Sequence, residues 1–431
     1  MDLKKLENNI LILSRRFRAG DAITTVNLFA KWPKEHLFCA SPVESEYAAT
    51  LGGFYLLGDK EITYRFPFNK ISRPASSRIG VSQDFNNNTP TKSFTKRLYE
   101  NVVRPMLQRM DLYETRLSFN ISPEFESWIR IINPSVIYTS VGDIPMANFV
   151  LDIHKMFPNI KIIVHNFDDW LSPTYPIIGG KSHRNKAELL LKELLSIASG
   201  RFTSSEKMAA EYINRFGYDF TMFTNPAPLS ANENAIIKSI IPNIVFTGKV
   251  GWHNDIAIKR MINAVEVLNL KNKSVEFDIY TDTPKDELTR FLGDLPNSVK
   301  IHPPVPNTQI PEILASAHAL YLPISINNHN ARFTRYSMST KMGEYLWSGS
   351  PVIYVGPKDI AMTEFLEDNQ CAEVITEDSL DLIIQALEKV LRTPDKEKIK
   401  RGKEIASNLF NKEAVSYAFV KTIEDICHTN C

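Results

Sequence analysis

Rhythm constrains this chain more than any single motif. Short apolar runs alternate with longer amphipathic stretches, and the alternation happens twice. In the first half the runs at 9–13 (NILIL), 135–138 (SVIY) and 161–165 (KIIVH) read as buried strands. The stretches 22–31, 145–156, 186–197 and 206–216 read as helices, with Gly217 placed where a left-handed cap is wanted. A break follows at Asn225-Pro226-Ala227-Pro228 and polar 230–234. The rhythm then restarts, with strands at 243–247, 275–280, 299–302, 319–323 and 351–355. Helices are expected at 255–268, 286–292, 310–317, 340–347, 380–391, 396–410 and 413–427.

A strand, a helix and a second strand in one sheet imply parallel pairing through right-handed crossovers. The expected fold class is therefore α/β, with two Rossmann-like doubly wound parallel-sheet domains at 1–229 and 236–411. The final helix, 412–431, is expected to complete the first domain. Strand C-termini open crevices in such folds, and a cleft between facing domains is the expected ligand site. Residues 82–115 interrupt the pattern, running from Asn- and Thr-rich 85–93 into a basic amphipathic helix.

Composition narrows the function classes. With 431 residues and 43% hydrophobic, two domains with large cores are affordable. Lys plus Arg (50) and Asp plus Glu (49) leave a net charge of +1, which argues against a general nucleic-acid binder. The four cysteines, Cys39, Cys371, Cys427 and Cys431, form no disulfide framework and no metal pattern, so a reducing compartment is expected. The opening MDLKKLENNILILSRRF lacks the apolar length and cleavage site of a secretory signal. No apolar run approaches the ~18 residues that span a bilayer. A cytoplasmic protein is expected, touching at most the inner face of a membrane.

The most informative stretch is 339–355, STKMGEYLWSGSPVIYV. Ser339 or Thr340 could cap a helix whose first amides would suit an anion. Lys341 and Glu344 lie three apart and share a helix face. Gly349 would end that helix, and Pro351 leads into a strand. A cation and a carboxylate at the mouth of a parallel sheet suit a nucleotide: the cation meets phosphate, and the carboxylate accepts hydrogen bonds from ribose hydroxyls. The plain alternative is an ordinary helix–strand junction with a surface salt bridge.

This stretch resembles the donor-binding motif of GT-B-fold glycosyltransferases, glycosyltransferase family 4 in particular. It matches at Ser339, Thr340, Lys341, Glu344, Tyr345, Gly349, Pro351, Val352 and Ile353. The resemblance implies that Glu344 holds the ribose of a nucleotide sugar. Residues 243–249 (NIVFTGK) resemble the first strand of the family's C-terminal domain. By that likeness Gly248 lets backbone approach the ligand and Lys249 is aimed at the diphosphate. His302 to Val305 (HPPV) and 310–322 resemble the base-binding turn, helix and strand, which puts Val305 at the base. Residues 413–427 resemble the helix that crosses back to the first domain.

Two departures stand out. Where the family carries a second lysine, this chain reads Trp252-His253-Asn254-Asp255. Eight residues before Glu344, where the family has a sugar-contacting Glu, stands Tyr336. Arg332, Arg335 and Lys341 are close enough in sequence to supply positive charge, or Arg332 and Arg335 are solvated loop charges.

In the first half, Gly20 lies in the turn 17–21, where family members admit a diphosphate or acceptor. A tight turn explains it as well. The stretch 164–170, VHNFDDW, follows a strand and would aim His165, Asp168 and Asp169 into a crevice. Asp168 or Asp169 could act as general base on an acceptor hydroxyl in inverting transfer. In retaining transfer His165 would only position substrate. The alternative is an Asx-type cap with Trp170 as packing.

The segment 92–116 carries Lys92, Lys96, Arg97, Arg104, Arg109 and Arg116 on an apolar frame. It suits weak contact with an anionic membrane surface, or it is a domain helix with a solvated face. No metal constellation, phosphate loop or dinucleotide fingerprint occurs, which speaks against an NTPase or a dinucleotide oxidoreductase.

The combined expectation is a metal-independent glycosyltransferase without a cofactor. Its donor would be a nucleoside-diphosphate sugar, a UDP-sugar first among them, and its acceptor a glycan or lipid-linked glycan. A nucleotide-sugar epimerase of the same fold and a non-catalytic nucleotide-sugar-binding scaffold are the alternatives.

Overall fold

The computed structural model describes residues 6–17, 19–43, 46–65, 68, 71, 73–79, 103, 106–107, 116–172, 181–229, 238–327 and 333–429. The basic helix expected over 92–116 lies largely outside these residues, as do Arg332 and the polar stretch 230–234. The chain divides into two units, Met1–Phe223 with Val415–Cys431, and Thr224–Ala414.

The first unit is built on a sheet whose central strand, β1 (Ile10–Ser14), is apolar on both faces, as a strand covered by helices on both sides must be. Outward on one side lie β2 (Leu37–Ser41), β3 (Gly53–Leu56) and the antiparallel edge β5 (Ser77–Ile79). On the other side lie β7 (Val136–Ser140), β8 (Lys161–Asn166), β9 (Ala198–Thr203) and β10 (Thr221–Met222), all parallel. A separate antiparallel pair joins β4 (Ile62–Tyr64) to β6 (Leu117–Phe119).

The crossover helices are α1 (Ala19–Leu28), α2 (Pro123–Ile132), α3 (Ile144–Met156), α4 (Lys181–Ile197) and α5 (Glu206–Phe216). Their starts follow local chemistry. Ser122, Asp143 and Ser205 each accept a hydrogen bond from the third amide of the helix that follows. Gly217 closes α5 at φ +76°, the left-handed cap expected there.

The second unit holds a six-stranded parallel sheet among the described residues. Its members are β11 (Asn243–Thr247), β12 (Glu276–Tyr280), β13 (Val299–His302), β14 (Ala319–Pro323), β15 (Val352–Val355) and β16 (Glu373–Ile375), in the order β13-β12-β11-β14-β15-β16. The accompanying helices are α6 (Asp255–Leu270), α7 (Lys285–Leu292), α8 (Ile310–Ser316), α9 (Met342–Trp347), α10 (Ala361–Asp368), α11 (Leu380–Arg392) and α12 (Lys396–Ile405). Two apolar clusters flank this sheet, one around Ile258, Met261 and Phe277, the other around Tyr345, Tyr354 and Phe410.

Several expectations shift. The linker is not free chain: Ala227 donates to Phe410 O at 2.7 Å and accepts from Lys412 N at 3.0 Å, so 224–229 belong to the second unit. The expected helix 396–410 ends at Ile405 and continues as a π-turn, Ala406–Phe410. The last helix, α13 (Lys412–His428), passes from the second unit to the first between Ala414 and Val415. There Phe419, Val420 and Ile423 are fully buried in the first unit's core. The expected turn at 17–21 ends early, because Phe17 N is held by Ser41 Oγ at 3.2 Å and α1 begins at Ala19. Gly20 is therefore in the first turn of a helix and not in an open loop.

Candidate functional site

In the second unit the strand order reverses between β11 and β14, and open α/β sheets bind ligands outside the carboxyl ends at such a point. The chain leaves β11 as Gly248-Lys249-Val250-Gly251-Trp252-His253-Asn254. Gly248 adopts φ +139°, a value L-side chains rarely take.

Helix α9 is tied to the end of that strand by a buried residue. Tyr345 Oη accepts from Thr247 N at 2.8 Å and lies 3.1 Å from Thr247 Oγ1. Lys341 sits one helical turn earlier, on the same face. Its amine consequently lies over Gly248: a Cβ on Gly248 would be 2.3 Å from Lys341 Cε and 2.7 Å from Nζ. Lys341 and Glu344 are half-buried and make no ion pair or side-chain hydrogen bond among the described residues. Burial pulls the Lys341 ammonium below its usual range, opposed by the charges of Glu344 and Asp282. Burial pushes the Glu344 carboxyl up, opposed by Lys341. A partnered cation would gain little from a ligand, whereas an unpartnered, partly desolvated ammonium stands ready for an anion.

The loop after Gly248 is rigidly organised. Asn254 is buried; its Oδ1 accepts from Gly251 N at 2.9 Å and its Nδ2 donates to Lys249 O at 3.1 Å. Val250 N donates to Thr283 Oγ1 at 2.9 Å. Ser325, just past β14, donates its amide to His253 O at 2.8 Å. Lys249 itself is exposed. At the neighbouring strand ends Tyr280 and His302 stack at 4.4 Å, and Asp278 Oδ1 holds His302 Nε2 at 2.7 Å. Val305 follows, half-buried in the loop before α8.

The cap expected at Ser339 or Thr340 does not form. Ser339 Oγ accepts only from Lys341 N, at 3.3 Å, and its amide is spent on Met362 Sδ at 3.2 Å. Thr340 is exposed, and α9 starts two residues later than expected. Tyr336 is buried, with the Arg335 guanidinium 5.5 Å above its ring. Arg335 lies 3.6 Å from Asp359, so its charge is shared with that carboxylate.

The first unit corrects two of the three catalytic expectations. His165 is on β8 with no exposure, stacked on Phe167 at 4.0 Å and edged by Phe202 and Tyr138. Its Nδ1 shares a 2.7 Å hydrogen bond with Tyr138 Oη, and burial pulls its pKa down to about 3. This is a core histidine and not one aimed into a crevice. Asp169 is buried, and its Oδ1 accepts from Tyr212 Oη and Arg215 Nη1, both at 3.2 Å, which commits that oxygen to the fold. Asp168 is half-buried.

Sequence reasoning missed a pair at this unit's own switch point, between β1 and β7. Arg15 Nε meets Asp143 Oδ2 at 2.8 Å, with the guanidinium 5.1 Å from the Phe119 ring. The available signal was a charged residue within three positions of the end of each switch-point strand, Arg15 directly after β1 and Asp143 three residues past β7. Among the described residues no group of three or more His, Cys, Asp or Glu could hold a metal ion, and no helix is long and apolar enough to cross a membrane.

No protein-family model and no curated protein matches the chain. Solved structures do match. Sucrose-phosphate synthase from Thermosynechococcus elongatus aligns over 97% of this chain and 99% of its own, at TM-score 0.61 and 11% identity. Anabaena HepE in complex with UDP-glucose aligns over 97% and 100%, at TM-score 0.60 and 14% identity. A glycosyltransferase from Rickettsia africae aligns over 98% and 100%, at TM-score 0.60 and 9% identity. The fold of this chain is the GT-B type seen in these glycosyltransferases.

Proposed function

We propose that this chain is a glycosyltransferase that moves a sugar from a nucleoside-diphosphate sugar, a UDP-sugar first, to a glycan or lipid-linked glycan acceptor. The observation that carries the reading is the half-buried Lys341 ammonium over Gly248, unpartnered among the described residues, with Glu344 one step along the helix. The crystallised HepE with UDP-glucose on a matching fold supports the same choice of donor.

In this reading the bond between the sugar's anomeric carbon and the diphosphate breaks, and negative charge grows on the leaving oxygen. Lys341 meets that charge in a partly desolvated place, where a preorganised cation is worth more than in water, and the exposed Lys249 adds its charge from the solvent side. Glu344 accepts hydrogen bonds from the ribose hydroxyls. Val305 lies at the base, and Tyr336, Ser339 and Thr340 border the donor. Asp168 is the residue we assign as base on the acceptor hydroxyl should transfer invert. We also place the reaction in the cytoplasm, with an acceptor at the membrane's inner face, and hold the chemistry to be metal-independent.

The test is a thermal-shift titration with UDP, GDP, dTDP, CMP and ADP, run with and without EDTA. A ligand of the folded state at 100 times its Kd adds about 2.7 kcal/mol of stability. A shift with one diphosphate that persists in EDTA and vanishes in Lys341→Ala is expected. In a turnover assay with the matching sugar, Lys341→Ala should then cost about 10²–10³ in kcat. No shift with any nucleotide would overturn the donor site.

A further inference from the structure

Two glycines mark the loop after β11. A Cβ on Gly248 would strike the Lys341 amine, and a Cβ on Gly251 would lie 3.5 Å from His253 Nδ1. The ammonium and the imidazole therefore line the same short loop, each against backbone that carries no side chain. His253 is fixed by its carbonyl, which accepts from Ser325 N, and by the edge of Trp252 at 5.8 Å. The imidazole is half-buried and makes no hydrogen bond among the described residues. Its ring nitrogens are thus without a protein partner among the described residues, next to the Lys341 charge that acts on them.

Resting on the donor-site reading above, we infer that His253 is a diphosphate-binding residue, neutral in the empty site, that takes up a proton as the donor arrives. The electrostatics follow from the neighbours. Burial and the Lys341 charge hold the imidazole down to about 4 without ligand. Lys249 and Asp255 flank it in the chain, while Glu344 and Asp282 act on Lys341. A diphosphate diester adds two negative charges beside Lys341 and reverses the sign of the field at the ring. Lys341 and the exposed Lys249 bring two positive charges, which face the two negative charges of the diphosphate and the carboxylates of Glu344 and Asp282, so an imidazolium would offset part of the remaining negative charge. In the step, solvent supplies one proton, His253 gains it, and the diester keeps its own charge throughout.

The experiment is calorimetric titration of UDP-glucose, whose diphosphate does not titrate near neutrality, in buffers of different ionisation enthalpy. At about pH 6.5, uptake of a substantial fraction of one proton is expected, with affinity weakening by up to about tenfold per pH unit above that. His253→Asn should abolish the uptake and flatten the pH dependence. Independently of any variant, the His253 Cε1–H resonance should titrate at a higher pH in the UDP-glucose complex than in free protein. Binding with no proton uptake, uptake retained in His253→Asn, or an unmoved His253 resonance overturns this inference and leaves the donor site standing. Absence of binding by UDP-, GDP- and dTDP-sugars alike overturns both.

Discussion

Lys341 occupies the space that a side chain on Gly248 would need, at 2.3 Å for Cε and 2.7 Å for Nζ. Gly248→Ala should therefore evict the amine and leave the strand in place, because the end of a lysine side chain moves easily. Backbone strain at φ +139° adds of order 1–3 kcal/mol to the instability of the unit. UDP affinity is expected to fall about tenfold to a hundredfold, the worth of a hydrogen bond to a charged group. Calorimetry checks this, and the double variant with Lys341→Met should bind no worse than Lys341→Met alone. Wild-type affinity in Gly248→Ala would remove Lys341 from the donor site.

Asn254 holds the next stretch of the loop through Gly251 N and Lys249 O. Asn254→Ala leaves both groups without their partner, at a cost of about 1–3 kcal/mol each where no water replaces it. Hydrogen exchange at the Gly251 amide should quicken while the β11 amides keep their protection. An unchanged Gly251 amide would mean that the loop owes its order to something else.

Acid should weaken the first unit through His165. Its folded pKa, about 3, lies below the ordinary 6.5, so the unfolded chain binds the extra proton. Stability from this group is complete above about pH 6.5 and is lost as pH falls toward 3, at up to about 1.4 kcal/mol per pH unit. His165→Phe should flatten that part of the curve of Tm against pH. At neutral pH it strands Tyr138 Oη, so His165→Phe with Tyr138→Phe should be more stable than His165→Phe alone.

Gly343 sits inside α9 because no side chain fits. A Cβ there would be 2.6 Å from Phe410 Cβ and 3.0 Å from Ala227 Cβ. Gly343→Ala should cost roughly 1–3 kcal/mol through overpacking. Urea denaturation followed by tryptophan fluorescence would register it, and an unchanged midpoint would refute the packing.

Elements whose signals are local were legible in the sequence. The expected bounds of α5, β11, β13 and β14 coincide with those observed, since apolar period, cap and turn residue sit within a few positions of one another. The short edge strand β16 and the helix α10 were not expected: neither carries a long apolar period, and β16 is placed by backbone pairing with β15 while Thr363 of α10 bonds Tyr354 of β15 at 2.9 Å. That Lys341 and Glu344 lie near one another was readable from a spacing of three. The position of Lys341 over Gly248 was not, because Tyr345 and Thr247, which enforce it, come from distant parts of the chain.

The same division runs through the site. Sequence alone determined the α/β class and its two successive parallel sheets, because hydrophobic periodicity and turn chemistry act over short range. Only tertiary structure decided which polar groups are free to act. His165 and Asp169 look reactive in the sequence, yet Tyr138, Phe202 and Phe419 close over the first, and the second is buried with its Oδ1 held by Arg215 and Tyr212. His253 was one residue of a stretch that lacks the family's second lysine; packing sets it in the loop beside Lys341. Burial and the presence or absence of a partner are properties of three-dimensional neighbours, and they fix whether a side chain can still bind a ligand or a proton.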